Sequence, residues 1–196
     1  MKNRQKQMID QLSDQELLLN FYISQALIFF IAVILAFFLF PDFLDVFQLF
    51  DFRNIKSILI IGGGAGTLVV FIDFLLMKFL PLAYFDDGGI NERLFTNRGV
   101  VPIIFMTLLV AFCEELLFRG VLQTKFGLVT ASVIFALVHF RYLFNKFLFF
   151  DVIVLSFFIG FIYEWTGNLA VSFFMHFVID CLLGLFIYFK NLPKQK

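Results

Sequence analysis

Ala111-Phe112-Cys113-Glu114-Glu115-Leu116-Leu117-Phe118-Arg119-Gly120 sets two adjacent carboxylates and an arginine inside what otherwise reads as a hydrocarbon-spanning helix from Gly99 to about Thr124. A carboxylate near a bilayer centre costs about 2.5 to 3.5 kcal/mol on insertion scales, so an intramembrane Glu pair marks a functional site by default. The other spans should supply its partners. Two polar interruptions lie downstream, Phe135-x-x-x-His139 and His176-x-x-x-Asp180, each setting a histidine one helical turn from a second residue. They contain both histidines of the chain.

The surrounding composition agrees with a membrane-embedded chain. With 61% hydrophobic residues, 20% aromatic and 33 Phe in 196 residues, the class is an all-α polytopic membrane protein rather than a soluble domain. Fifteen basic residues balance fifteen acidic ones, which leaves no electrostatic footprint for nucleic acid. Cys113 and Cys181 both fall in apolar runs and read as small buried hydrophobes rather than a redox pair.

Residues 1–16 form a polar tail carrying Lys2, Arg4, Lys6, Asp10, Asp14 and Glu16. Residues 17–98 then hold two transmembrane helices and a polar connecting segment. Leu17 to Phe40 is uncharged and longer than a signal-peptide core, and Pro41 ends it. Ser57 to about Leu80 is the second span. Its Gly62-Gly63-Gly64-Ala65-Gly66 run lacks the Lys-Ser or Lys-Thr of a phosphate loop and reads as a site of close helix packing or a kink. Asp73 reads as a buried hydrogen-bonding group and Lys78 as an interfacial anchor. The stretch from Asp86 to Arg98 is polar and suits an interfacial helix around Glu92 and Arg93.

Residues 99–189 carry the remaining spans: Gly99 to about Thr124, about Leu128 to Phe144, about Phe147 to Tyr163, and Asn168 to Phe189. Residues 190–196 form a basic tail with Lys190, Lys194 and Lys196. The expected architecture is therefore about six transmembrane helices with the active site inside the bundle. Six spans put the N-tail, the 81–99 connector, the turn near Arg141 and the C-tail on one side. That side collects Lys2, Arg4, Lys6, Lys78, Arg93, Arg98, Arg141, Lys146, Lys190, Lys194 and Lys196; Arg53, Lys56, Arg119 and Lys125 fall opposite. The bias predicts cytosolic termini.

Helical spacing divides the Glu pair. Glu115 and Arg119 are i and i+4 and can pair on one face, whereas Glu114 points about 100° away, toward Phe118. Glu114 is thus free to act as a general base. Together with His139, His176 and Asp180 it could activate a water as a glutamate-based hydrolase. The same four side chains are also plausible ligands for a divalent ion such as zinc, with no His-Glu-x-x-His helix to favour the soluble zincin pattern. Spacing leaves the two open.

Glu114-Glu115-x-x-x-Arg119, Phe135-x-x-x-His139 and His176-x-x-x-Asp180, in that order on successive hydrophobic segments, resemble the three motifs of the CPBP intramembrane proteases. This is the CAAX-protease and bacteriocin-processing family, also called Abi proteins, related to the type II CAAX prenyl endopeptidases. The flanks Phe118-Arg119-Gly120-x-Leu122-Gln123 and Tyr163-x-x-Thr166-Gly167-Asn168-Leu169 match as well, so the resemblance covers about residues 99–185.

The resemblance implies an intramembrane endopeptidase of glutamic or metal-dependent type. Glu114 would be the water-activating glutamate and His139 its partner. His176 with Asp180 would stabilise the oxyanion or orient the water, and Glu115, Arg119 and Phe135 would support them. It implies a membrane-anchored or lipidated peptide as substrate, membrane lipid and a possible membrane-protein partner around the chain, and a bacterial plasma membrane as its place. A non-enzymatic membrane scaffold, or a bacteriocin-immunity or regulatory protein of the same fold, is the competing expectation. No paired broken helices suggest a transporter.

Overall fold

The computed structural model describes residues 11–96 and 98–192. The tail readings that rest on Lys2, Arg4, Lys6, Asp10, Lys194 and Lys196 lie outside them. Among the described residues five helices are long and apolar enough to cross a membrane: α1 Asp14–Leu39, α2 Ile55–Phe79, α4 Val100–Val138, α5 Lys146–Thr166 and α6 Leu169–Lys190. The short α3, Ile90–Phe95, lies in the polar connector where an interfacial helix was expected. No strand occurs among the described residues.

α1 starts earlier than its apolar run because Ser13 caps it. Glu16 N donates to Ser13 Oγ at 3.2 Å and Ser13 N donates back to Glu16 Oε2 at 2.7 Å, a reciprocal pair that satisfies two otherwise orphaned donors. Further along, Leu27, Phe30, Ile34, Phe37 and Phe38 all face outward, Phe38 with 75% of its surface bare. Contiguous exposed aromatic and aliphatic surface of this kind belongs in hydrocarbon. The chain is an integral membrane protein.

The third and fourth expected spans are two limbs of α4. Gly127, at φ 82° and ψ 167°, breaks the helix in a conformation that a side chain would strain, and the chain reverses there. The returning limb runs back along the descending one, so Phe118 and Phe135 meet edge to face at 4.8 Å. Among the described residues six hydrophobic passes are thus present, the third and fourth joined through the break at Gly127. The returning limb, residues 128–138, rises only about 16 Å, roughly half a hydrocarbon core. A 3₁₀ turn, Phe140–Phe144, continues the pass.

Two sets of loop contacts give the passes a common frame. On one face Asn145 Nδ2 donates to the carbonyls of Tyr84 at 2.8 Å and Asp86 at 3.1 Å, and Arg93 pairs with Asp14 at 2.7 Å. On the other, Asp51 N donates to Asn168 Oδ1 at 3.0 Å, Asn168 Nδ2 to Asp51 O at 2.8 Å, and Leu169 N to Leu49 O at 2.9 Å. The start of α1, the α2–α4 connector and the turn after His139 therefore share a face, the alternation that the sequence's spans imply.

Glycines fit α2 against α6. A Cβ on Gly62 would stand 2.6 Å from Val171 O, and one on Gly66 2.8 Å from Met175 O, so the run between them serves close packing. Asp73 departs from its sequence reading: it is half-buried, and the charge it senses is a second carboxylate, Asp151, rather than a donor. Periodicity within α2 gives no sight of a neighbour on α5.

Gly62→Ala should therefore destabilise the protein by about 1 to 3 kcal/mol through overpacking, whereas Gly64→Ala, whose Cβ would meet nothing within 4 Å, should not. Thermal unfolding in detergent compares the two, and equal midpoints would remove the close-packing account.

Candidate active site

The Glu pair closes the regular α-helical part of α4, and the next eight residues, Leu116–Gln123, form a π-helix. Widened turns of this kind gather at functional sites because they redirect side chains that a regular turn would stack. Glu115 is wholly buried and Arg119 1% exposed, with Arg119 Nη1 3.5 Å from Glu115 Oε1. The pairing read from spacing is present.

Glu115 has a second partner on another helix. Its Oε1 accepts from His176 Nδ1 at 3.0 Å, which ties α4 to α6 in the bundle interior. Arg119 likewise reaches beyond its own helix, donating from Nη2 to Ser156 O at 3.0 Å and Ser156 Oγ at 3.3 Å on α5. Its guanidinium also lies 4.7 Å over the Phe135 ring on the returning limb. Three elements are thereby fixed to one residue pair.

Glu114 faces the other way. Its Oε2 stands 3.9 Å from His139 Nε2 and 4.0 Å from His176 Nε2, and His176 Nε2 is 3.5 Å from Asp180 Oδ2. Hydrogen-bond roles decide what these nitrogens offer. His139 Nδ1 is 2.8 Å from Phe135 O, an oxygen that only accepts, so Nδ1 carries the proton. His176 Nδ1 is held by Glu115 in the same way. In the neutral His139 ring Nε2 then presents a lone pair toward the Glu114 carboxylate, whereas His176, with Glu115 at Nδ1 and Asp180 and Glu114 at Nε2, has a carboxylate acceptor for an N–H on either side. His139 Nε2 and Glu114 Oε2 are acceptors facing each other across 3.9 Å, a spacing that one water, donating to both, can bridge.

Phe135 holds this arrangement in place. It stacks on His139 with centroids 4.4 Å apart and planes 24° apart, meets Phe118 edge to face, and carries Arg119 on its ring. All seven residues singled out from the sequence, Glu114, Glu115, Arg119, Phe135, His139, His176 and Asp180, converge. Asp180 is the most open of the acidic members, its side chain 30% exposed.

Ser156 carried no motif, and Gln123, Gly167 and Asn168 stood only in the flanks of the motifs. Ser156 holds Arg119, and Gln123 Nε2 donates to Gly160 O at 2.8 Å beside it. Asn168 caps α6 through Ala170 N at 2.9 Å while bonding the Asp51 backbone, with Gly167 left-handed at φ 61° before it. The Thr166-Gly167-Asn168 flank is therefore a helix stop, a turn and a helix start welded to a loop.

The zinc alternative can be put to the same geometry. Imidazole nitrogens and carboxylates are the right donor types. Among the described residues, however, no group of three or more His, Cys, Asp or Glu is placed to hold a metal ion.

Fold and site together define an all-helical polytopic membrane protein with a glutamate, histidine and aspartate cluster at mid-bundle. The family model for the type II CAAX prenyl endopeptidase Rce1-like proteins matches residues 96–182, a stretch that contains every residue of the cluster. The chain is 46% identical over 173 residues to the uncharacterized protein YpbD of Bacillus subtilis (strain 168), covering 88% of this chain and 91% of that protein. No solved structure matches. The chain belongs to the Rce1-like, type II CAAX prenyl endopeptidase family, a family of CAAX-type intramembrane peptidases.

Arg119→Ala should cost about 3 to 5 kcal/mol, because it removes the cationic partner of a wholly buried carboxylate. The readout is the thermal midpoint in detergent beside that of the wild type; an unchanged midpoint would show that the pair does not support the bundle.

Proposed function

We propose that the protein is an intramembrane endopeptidase that hydrolyses a peptide bond of a membrane-anchored or lipidated peptide, with Glu114 as the base that activates water. The observation that carries this is the position of Glu114 Oε2 between the two Nε2 atoms, each ring fixed from behind through Nδ1. A water bridging Glu114 Oε2 and His139 Nε2 gives a proton to Glu114 as its oxygen adds to the scissile carbonyl. The tetrahedral intermediate collapses as Glu114 returns that proton to the departing amine. His139 orients the water. His176, between Glu115 and Asp180, has a carboxylate acceptor for each N–H of its protonated ring and in that form is the donor nearest the developing oxyanion.

This reading makes a direct demand on purified protein with an acylated peptide. Glu114→Gln, which keeps shape but removes the base, should lower turnover by about 10² to 10⁴ while leaving the fold intact. Asp180→Asn keeps an acceptor and adds a donor, so it should retain much of the activity after chelation. Turnover by Glu114→Gln would end the assignment. A stoichiometric ion lost from Asp180→Asn together with activity would replace it with a metal mechanism.

We place the protein in a bacterial plasma membrane with both termini in the cytosol. The charge bias supports the orientation, and Arg119 drops out of the count opposite because it serves the site. Single cysteines placed in either tail of a Cys-free variant should escape an impermeant thiol reagent added outside intact cells. Labelling there would invert the topology.

A further inference from the structure

Three side chains on one face of α4 share a feature that the mechanism above leaves unused. Glu115, Arg119 and Gln123 stand four residues apart and are 0%, 1% and 7% exposed. Each has one buried polar atom without a hydrogen-bond partner among the described residues: Glu115 Oε2, Arg119 Nη1 and Gln123 Oε1. Arg119 Nη1 comes near its neighbour, but at 3.5 Å from Glu115 Oε1 it stands beyond hydrogen-bonding length. A buried polar group left unpaired costs about 1 to 3 kcal/mol, so three in a row require partners of their own.

The other ends of the three side chains are fixed, which keeps them from turning toward one another. Glu115 Oε1 accepts from His176 Nδ1 at 3.0 Å, Arg119 Nη2 donates to Ser156 O at 3.0 Å, and Gln123 Nε2 donates to Gly160 O at 2.8 Å. The Gly160 carbonyl only accepts, and this settles which end of the Gln123 amide is the oxygen. Along the helix the unpaired atoms therefore run acceptor, donor, acceptor. Helical residues four apart hold their Cβ atoms about 5 to 6 Å from each other. Two hydrogen bonds of about 2.8 Å laid end to end cover the same distance.

We propose that this face of α4 binds two water molecules, one between Glu115 Oε2 and Arg119 Nη1 and one between Arg119 Nη1 and Gln123 Oε1. Nη1 carries two N–H groups, one for each water. The first water accepts from Arg119 and donates to Glu115. Its second hydrogen goes to Ser172, whose hydroxyl lies beside Glu115 and is wholly buried. Three partners are the usual complement of a buried water. The second water donates to Gln123, one residue before Thr124, whose hydroxyl meets that of Tyr163 at 2.8 Å. The pair of waters completes the donors around the carboxylate that holds His176, and it extends the polar interior from the catalytic cluster toward the Gly127 turn. The site belongs to the clasp rather than to the reacting groups, so it stands apart from the endopeptidase reading.

The test reads water directly. Full-length protein labelled with 15N-arginine, in lipid vesicles, is examined by magic-angle-spinning NMR for the rate at which water protons polarise each guanidinium. Arg119 is assigned through its contact with the Phe135 ring. Expected is a build-up at Arg119 within about a factor of three of that at solvent-open Arg53, despite the burial of Arg119. Gln123→Met keeps the length of the side chain but removes its oxygen, and should lower the transfer to Arg119 by about half, one water of two being lost. Gln123→Glu, which keeps an oxygen there, should retain it.

Ser172→Ala removes an acceptor from the other water and should give a loss of similar size, which guards against a folding defect in the methionine variant. No transfer to Arg119 in the wild type would overturn the proposal. Transfer unchanged in both Gln123→Met and Ser172→Ala would overturn it equally, since the water at Arg119 would then be shared with neither neighbour. Cleavage enters neither result, so failure of this site and failure of the endopeptidase reading stay distinct.

Discussion

The Glu115 carboxylate lies where no solvent reaches, and the interior of the bundle is arranged around answering it. A buried charge costs several kcal/mol unless its partners are close and well aimed. Here the answers come from Arg119 on the same helix and His176 on α6. The second contact does more than offset burial. By occupying Nδ1 it turns the other nitrogen of His176 toward Glu114 and Asp180. One carboxylate thus fixes the register of two helices and the tautomer of a site histidine.

Arg119 extends the same logic outward. Its Nη2 donates to Ser156 on α5 and its face lies on Phe135 of the returning limb, so removing it would loosen both elements against the descending limb. Small residues let those elements come close enough to be held. A Cβ on Gly160 would fall 2.4 Å from Leu128 Cδ1 and 2.8 Å from Gln123 Oε1, which shows how tightly α5 seats against the α4 hairpin. Gly127 turns that hairpin, and only its reversal carries His139 back to the depth of Glu114.

Much of this was legible in the residues. Uninterrupted apolar runs placed every long helix to within a few residues, because length against bilayer thickness is a strong constraint. Six of the seven site residues were visible because polar groups in hydrocarbon are costly enough to stand out, and Phe135 through its place one turn before His139. What stayed hidden depended on contacts between helices. The i to i+4 rule finds Arg119 for Glu115 but gives no sight of His176 as its second partner, or of Ser156 as the second partner of Arg119. The π-helix from Leu116 carries no distinct composition, whereas the break at Gly127 falls where the third and fourth expected spans meet. Asp73 was expected to find a donor, and instead senses Asp151.

The division of labour between Glu114 and Glu115 follows from hydrogen-bond supply rather than from sequence position. The two residues are adjacent and chemically identical, yet their directions on the helix differ by about 100°. Glu115 meets an arginine and an imidazole N–H, both donors, and so remains a bound anion with a structural task. Glu114 meets a His139 nitrogen whose ring proton is held on the far side by Phe135 O, and across from it the His176 edge that Glu115 holds from behind. No direct bond can satisfy Glu114 and His139, both acceptors. They share a need for a proton donor placed between them, and a water molecule about to lose a proton is such a donor. The structural glutamate, by holding His176 from behind, turns the other edge of that ring toward Glu114 and Asp180, where in its protonated form it donates.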